Sequence, residues 1–288
     1  MEQREEILKI PGIIVKLSDW HEDVKDGYKS DENDRFQSII NDSCVEVGTG
    51  CNISPRKYGP FRFAVGPKDN KNPLNEQIFN YLMDENQYNL PNVLNPGKDQ
   101  RIDLKIFGYG FSGSGKTYTL LQGSETDPSL FVHTLQMIKD KDLYIDNNPI
   151  EIKIFYPKED NDKTEENDYY LNQKDKGADN GLKDKIQEIQ NELNKLIGVN
   201  RKKITSVPTD PETLRKIKMQ LEKIENTLLD YLLVLPTSNN PRSSRAFTII
   251  KIHLLKASSN SKSITFIDLP GLEKKVDMVK DHYFPETS

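Results

Sequence analysis

An α/β fold is what the sequence predicts, and three stretches predict it. DLKIFGYGFSGSGKTYTL at 103–120 reads as a strand running through a glycine-rich turn into a helix. AFTIIKIHLL at 246–255 and SITFID at 263–268, joined by ASSNSK, read as the two arms of a β-hairpin. Apolar residues at 182, 186, 189, 193 and 196, then at 214, 217, 221, 224 and 228, draw one stripe on each of two helices.

With 288 residues the chain can bury a substantial core, and one α/β domain spanning 1–288 is expected. Hydrophobic residues make up 35% and charged residues 30%, and the mean hydropathy is -0.71, so much of the chain must face water. No apolar run approaches the length of a membrane span. The opening MEQREEILKIPGIIVKL lacks the long apolar stretch followed by small residues that a secretory signal needs. A reducing, cytoplasmic location is therefore expected. Cys44 and Cys51 stand without a second pair or a histidine cluster, which argues against zinc and for buried or incidental thiols. A net charge of -5 argues against a globally basic surface for nucleic acid.

The remaining elements follow in order. IIVKL at 13–17 and FRFAV at 61–65 read as buried strands. From Asn72, NPLNEQIFNYLMDE places apolar residues at 74, 78, 79, 82 and 83, a helical stripe. PKEDNDKTEENDYYLNQKDKGADN at 157–180 is almost wholly polar and reads as a solvated loop insert. The two striped helices then form an antiparallel helical hairpin over 182–233, with Asp210 as the N-cap and Pro211 at the first position of the second helix. The hairpin either packs on the core or serves as an arm that shows Arg201, Lys202 and Lys203 to an acidic partner.

Three short motifs carry chemistry. Gly110, Phe111, Ser112, Gly113, Ser114, Gly115, Lys116 and Thr117 match a phosphate-binding loop in full. The glycines let backbone amides turn inward, the following helix presents its positive end, Lys116 neutralises β and γ oxygens, and the Thr117 hydroxyl ligates magnesium. A structural turn with a chance lysine is the plain alternative, and the flanking strand and helix argue against it. Asn240, Pro241, Arg242, Ser243, Ser244 and Arg245, taken alone, pass for an ordinary polar loop. Asp268, Leu269, Pro270, Gly271, Leu272 and Glu273 end an apolar strand, where an aspartate reaches magnesium and a glycine amide reaches a γ-phosphate.

In this order the three motifs resemble the kinesin motor domain: GYGFSGSGKTYTL its phosphate loop, TSNNPRSSR its first switch, DLPGLE its second. Myosin has a related SSR switch, but the wording from Tyr109 to Leu120, Thr237 and the DL of the second switch favour kinesin. A small GTPase is disfavoured because no NKxD motif follows the loop; Asn70 and Lys71 precede it. The resemblance implies a P-loop NTPase with a twisted, mixed central sheet flanked by helices, binding ATP or ADP with Mg2+ and hydrolysing ATP. It implies that Asn240, Ser243 and Ser244 close around γ-phosphate and magnesium. Ser244 and Asp268 would join Thr117 at the metal, and the Gly271 amide would sense γ-phosphate. Arg245 and Glu273 would form a salt bridge that latches the switches and helps relay a proton.

The chain also departs from that family. Lys16, Leu17, Ser18 and Asp19 stand where kinesins usually carry Arg-x-Arg-Pro against adenine, leaving Tyr118 as the aromatic face for the base and Lys16 as a weaker candidate. Ala246 and Phe247 follow Arg245 where a histidine is common, and Pro270 and Leu272 replace small residues, stiffening the second switch. The sequence ends at Ser288, soon after Glu273, whereas kinesins carry their main microtubule-binding elements beyond this point. The expectation is an ATPase core with microtubules and the cytoskeleton as partners by resemblance. The alternative is a nucleotide-dependent, non-motile switch or scaffold that binds a non-tubulin partner. No coiled-coil stalk is present, so dimerisation is not implied.

Overall fold

The computed structural model describes residues 14–16, 37–41, 44–47, 56–58, 63–65, 74–83, 103–110, 114–143, 145–155, 178–200, 203–204, 211–230, 234–237, 240–244, 246–254 and 262–271. The chain divides into two compact units, Met1–Tyr81 and Leu82–Ser288.

In the first unit, β1 (Ile14–Lys16) pairs in parallel with β5 (Phe63–Val65). Between them in sequence, β2 (Gln37–Asn41), β3 (Cys44–Val47) and β4 (Arg56–Tyr58) form an antiparallel sheet in chain order. Helix α1 (Leu74–Met83) buries Asn75, Ile78 and Phe79. Tyr81, near its end, stacks on Phe63 with centroids 4.3 Å apart. Asn75 is fully buried, and its amide oxygen accepts from Lys16 Nζ at 2.9 Å, which satisfies a buried polar group. Lys16, the second candidate for contact with a base, is thus held by Asn75.

The second unit is built on a mixed four-stranded sheet. Its spatial order is β6 (Asp103–Gly108), β13 (Lys262–Asp268), β12 (Phe247–Leu254) and β7 (Ile145–Phe155). β6 runs parallel to β13, and the other pairs are antiparallel. Cross-strand register sets two apolar rows on one face: Ile106, Phe266, Ile250, Ile152, and Leu104, Ile264, Ile252, Ile150. The β12, β13 and β7 members of both rows are buried, and each such side chain contributes about 1.5–3 kcal/mol. Helix α2 (Leu130–Asp140) seats Phe131 edge-on against Phe266 at 5.7 Å. Ser129 starts this helix, its hydroxyl accepting from the Val132 amide.

Helices α3 (Ala178–Ile197) and α4 (Pro211–Asp230) pack side by side. Leu182, Ile186, Ile189, Leu193 and Ile197 are buried along one, and Ile217, Leu221, Ile224 and Leu228 along the other. Lys185, near the start of α3, meets Asp230 at the end of α4 at 3.0 Å, so the two run antiparallel. Ala178, Asp179 and Asn180 belong to α3 rather than to the polar insert; the rest of 157–180 lies outside the described residues.

The hairpin is not a projecting arm. Its connection contains a two-residue ladder, β8 (Val199–Asn200) with β9 (Lys203–Ile204). β8 lies against β7 and β9 against α2, and Ile204 is buried. The strands of the connection therefore rest on the core, as the packed reading of the hairpin expects; Arg201, Lys202 and the side chain of Lys203 lie outside the described residues. A small antiparallel pair, β10 (Val234–Thr237) with β11 (Asn240–Ser244), follows α4. Among the described residues no helix is long and apolar enough to cross a membrane.

The hairpin also finishes the sheet. β7 is the outer strand, and its free N–H and C=O groups need partners. Asn194 of α3 accepts from the Ile150 amide at 2.9 Å and donates to the Ile150 carbonyl at 3.1 Å, so its side-chain amide imitates a strand residue. Gln190, one turn earlier, accepts from the Ile152 amide at 2.8 Å.

Replacing Asn194 with leucine leaves both Ile150 groups without a partner, and N194L is expected to lose about 1–3 kcal/mol in urea denaturation. K185A, which breaks only an exposed ion pair, should stay within about 0.5 kcal/mol of wild type.

Candidate functional site

β6 ends at Gly108, and the chain is helical again from Lys116. Gly115, at φ 80, takes the left-handed turn just before Lys116, a conformation that strains any residue with a Cβ. The Thr119 amide donates to the Gly115 carbonyl at 2.9 Å. A π-helical turn, Tyr118–Gln122, follows and is closed by the Gly123 amide on the Tyr118 carbonyl at 2.8 Å. The helix after the lysine is therefore short. Gly123 stops it at φ 59, with Ser129 N only 2.3 Å from where a Cβ would stand. Lys116 Nζ reaches back across the loop to the Gly110 carbonyl at 3.1 Å. Ser114 is exposed, and Tyr118 is half-buried on the π-helical turn; Phe111, Ser112 and Gly113 lie outside the described residues.

The parallel pairing of β6 with β13 sets Asp268 opposite Gly108, so both strands deliver their carboxyl ends to one edge of the sheet, where α/β proteins place ligands. The Thr117 hydroxyl donates to Asp268 Oδ2 at 2.6 Å. Asp268 is only 8% exposed, and its other oxygen, Oδ1, is buried without a hydrogen-bond partner among the described residues. Burial lifts this carboxyl from its ordinary 3.8 to about 6. The Thr117 hydrogen bond and the Lys116 charge pull it down, and the Glu225 charge pushes it up.

Asn240, Ser243 and Ser244 lie on β11, a strand rather than the polar loop that their composition suggests. Thr237 pairs with Asn240, Leu235 with Ser243 and Val234 with Ser244. β11 lies against α4. The side chains of these three residues, and all of Arg245 and Glu273, lie outside the described residues. Gly271 sits on the segment that leaves β13 after Asp268. The structure thus brings Lys116, Thr117 and Asp268 together.

It also adds two residues that sequence reasoning passed over. Gln122, at the end of the π-helical turn, donates from Nε2 to Glu225 Oε2 of α4 at 2.9 Å. In the sequence Glu225 looks like any charge beside an apolar stripe, and only the packing of α4 singles it out.

No protein-family model matches the chain, and no curated protein matches it. Among solved structures, it is similar to a kinesin motor segment described as "KIF14[391-755] - ADP in complex with a microtubule", with 12% sequence identity and a TM-score of 0.44. That superposition covers 82% of this chain and 63% of the other. Likeness at that level leaves the site to be argued from the chain's own residues.

G123A combines a left-handed backbone with a clash against the Ser129 backbone, and thermal unfolding should show a loss of about 2 kcal/mol or more. The Asp268 shift carries a pH signature. The folded chain holds this proton more tightly than the unfolded chain, so the group's contribution to stability is complete below about pH 4 and is lost as pH rises through about 6. D268N cannot ionise, and without divalent cation it should exceed wild type by about 1–3 kcal/mol at pH 7.5, with the gap closing near pH 4. Parallel stability–pH curves for the two proteins would refute the burial of an ionising carboxylate.

Proposed function

We propose that the chain is a magnesium-dependent P-loop ATPase of the kinesin type, a nucleotide-driven motor core. The observation that carries the reading is the 2.6 Å bond from Thr117, next to the loop lysine, to the buried Asp268 at the end of the neighbouring parallel strand. A chance glycine turn has no need of a buried aspartate at this point. A phosphate loop does, because the helix-start hydroxyl and the strand-end carboxylate flank the metal that accompanies the phosphates.

The donor set suits magnesium. Thr117 and Asp268 offer hard oxygens, and Oδ1 of Asp268 is buried with a lone pair unused among the described residues. Among the described residues no group of three or more His, Cys, Asp and Glu side chains forms a metal cluster. Thr117 and Asp268, with Ser244, would hold magnesium, and when bound it neutralises charge on the β and γ oxygens.

The chain's own residues divide the remaining work. Backbone amides from Gly110 to Gly115 cradle phosphate, and Lys116 exchanges its bond to the Gly110 carbonyl for phosphate oxygens. Tyr118 offers its ring to the base. Asn240 and Ser243 close on γ-phosphate from β11, the Gly271 amide reports its presence, and Arg245 with Glu273 latches the closed state. Microtubules are the partner that the motif wording proposes.

ADP binding and steady-state ATP hydrolysis test the reading. Wild type should bind ADP, and K116A should weaken that binding about tenfold to a hundredfold and abolish turnover. Microtubules should accelerate wild-type hydrolysis. Slow turnover indifferent to tubulin would point instead to a non-motile switch with another partner, and no ADP binding at all would remove the phosphate-loop reading.

A further inference from the structure

The four-stranded sheet has a second face, opposite the apolar rows of Ile106 and Leu104, and its residues are of another kind. Register sets Phe107, Ile267, Ile249 and Lys153 side by side there, with Phe247 beside Phe155 at the edge where β6 and β13 end. Among the described residues four large hydrophobic side chains are exposed. Phe107, at 56%, and Phe247, at 42%, lie on this face, and Tyr109, at 73%, stands just beyond β6. Ile249, Ile267 and Phe155 are half-buried between and beside them. One exposed ring needs no explanation, but a contiguous apolar band rimmed by charge marks a surface that takes a partner.

The rim says which partner. In the next row Lys105 and Lys251 flank Thr265, and Glu151 lies opposite Lys251. The Glu151 carboxylate is held by Lys153 at 2.6 Å and by His253 at 2.8 Å. Three lysines thus face one carboxylate among the described residues of this face, on a chain whose net charge is -5. A second copy of the chain would bring the same lysines against each other in a symmetric contact. Nucleic acid suits the face poorly, because Glu151 repels phosphate and aliphatic Ile249 and Ile267 fill the middle of the band, where stacked bases call for flat rings. From Phe107 to Ile249 the band spans two strand spacings, about 10 Å, the width of one helix.

We propose that this face docks an acidic amphipathic protein segment, its apolar and aromatic side chains on Phe107, Ile249 and Phe247 and its carboxylates on Lys105, Lys251 and Lys153. The inference stands apart from the phosphate-loop reading and holds whether or not the chain binds nucleotide.

A fluorescent glutamate–tyrosine copolymer, titrated with the full chain and followed by anisotropy, is the test. Wild type should bind it, more weakly as salt rises. F107S should weaken binding about tenfold and K251E about fivefold. F247S repeats the first measurement should F107S fail to fold, as judged by circular dichroism. M219S changes the fourth exposed side chain, on α4, and should leave binding unchanged. Polyglutamate without rings should bind at least about fivefold more weakly than the copolymer. The proposal is overturned if wild type does not bind the copolymer, if M219S weakens binding as much as F107S, or if polyglutamate or a lysine–tyrosine copolymer binds equally well. It is also overturned if oligouridylate displaces the copolymer, which assigns the face to nucleic acid, or if the chain alone sediments as a dimer that F107S dissociates, which assigns it to a second copy.

Discussion

The parallel register between β6 and β13 is the constraint on which the rest of the site depends. Side chains alternate along a strand, so a slip of one residue would send Asp268 to the opposite face of the sheet. The rows from Ile106 to Ile152 and from Leu104 to Ile150 prevent that slip, because their members are apolar on one face across four strands. Hydrophobic packing far from the loop thus fixes where a single carboxylate meets the Thr117 hydroxyl. The 2.6 Å bond between them is the local result of a sheet-wide pattern.

The same placement is costly to the folded protein. A carboxylate with one oxygen buried and unpartnered among the described residues destabilises its surroundings unless it is protonated or meets a cation. Lys116 offsets part of this and Glu225 adds to it. A buried carboxylate of this kind is relieved by protonation or by a nearby positive charge. The proposed nucleotide and metal answer that need together.

Legibility followed the strength of local pattern. Positions 182, 186, 189, 193 and 196 announce a helix with one buried face, and 214, 217, 221, 224 and 228 announce a second; all are buried except Leu196, whose neighbour Ile197 is buried instead, and Leu214, in the first turn, both of which are half-buried. The strands at 247–254 and 262–268 were equally readable, being apolar runs on either side of a turn. α2 was harder, because LFVHTLQMIKD is apolar nearly all round and has no clean stripe. β7, with Asn147, Asn148 and Pro149 in its length, resembles a loop until its partner strand is seen. The phosphate-loop wording points to Lys116 and Thr117, and the strand-ending DLPGLE points to Asp268. Nothing local could pair Gln122 with Glu225, whose contact depends on how α4 packs, and sequence separation hides such contacts by nature.

The amide side chains of Gln190 and Asn194 have a further meaning for the margin of the sheet that they cover. An outer strand with open peptide groups recruits strands from other molecules, and β7 would be a long one. By occupying those groups, α3 acts as a stopper as well as a layer of the core. A version of the chain trimmed of residues 178–230 would therefore be a smaller fold with an adhesive margin, and the expected consequence is self-association in solution.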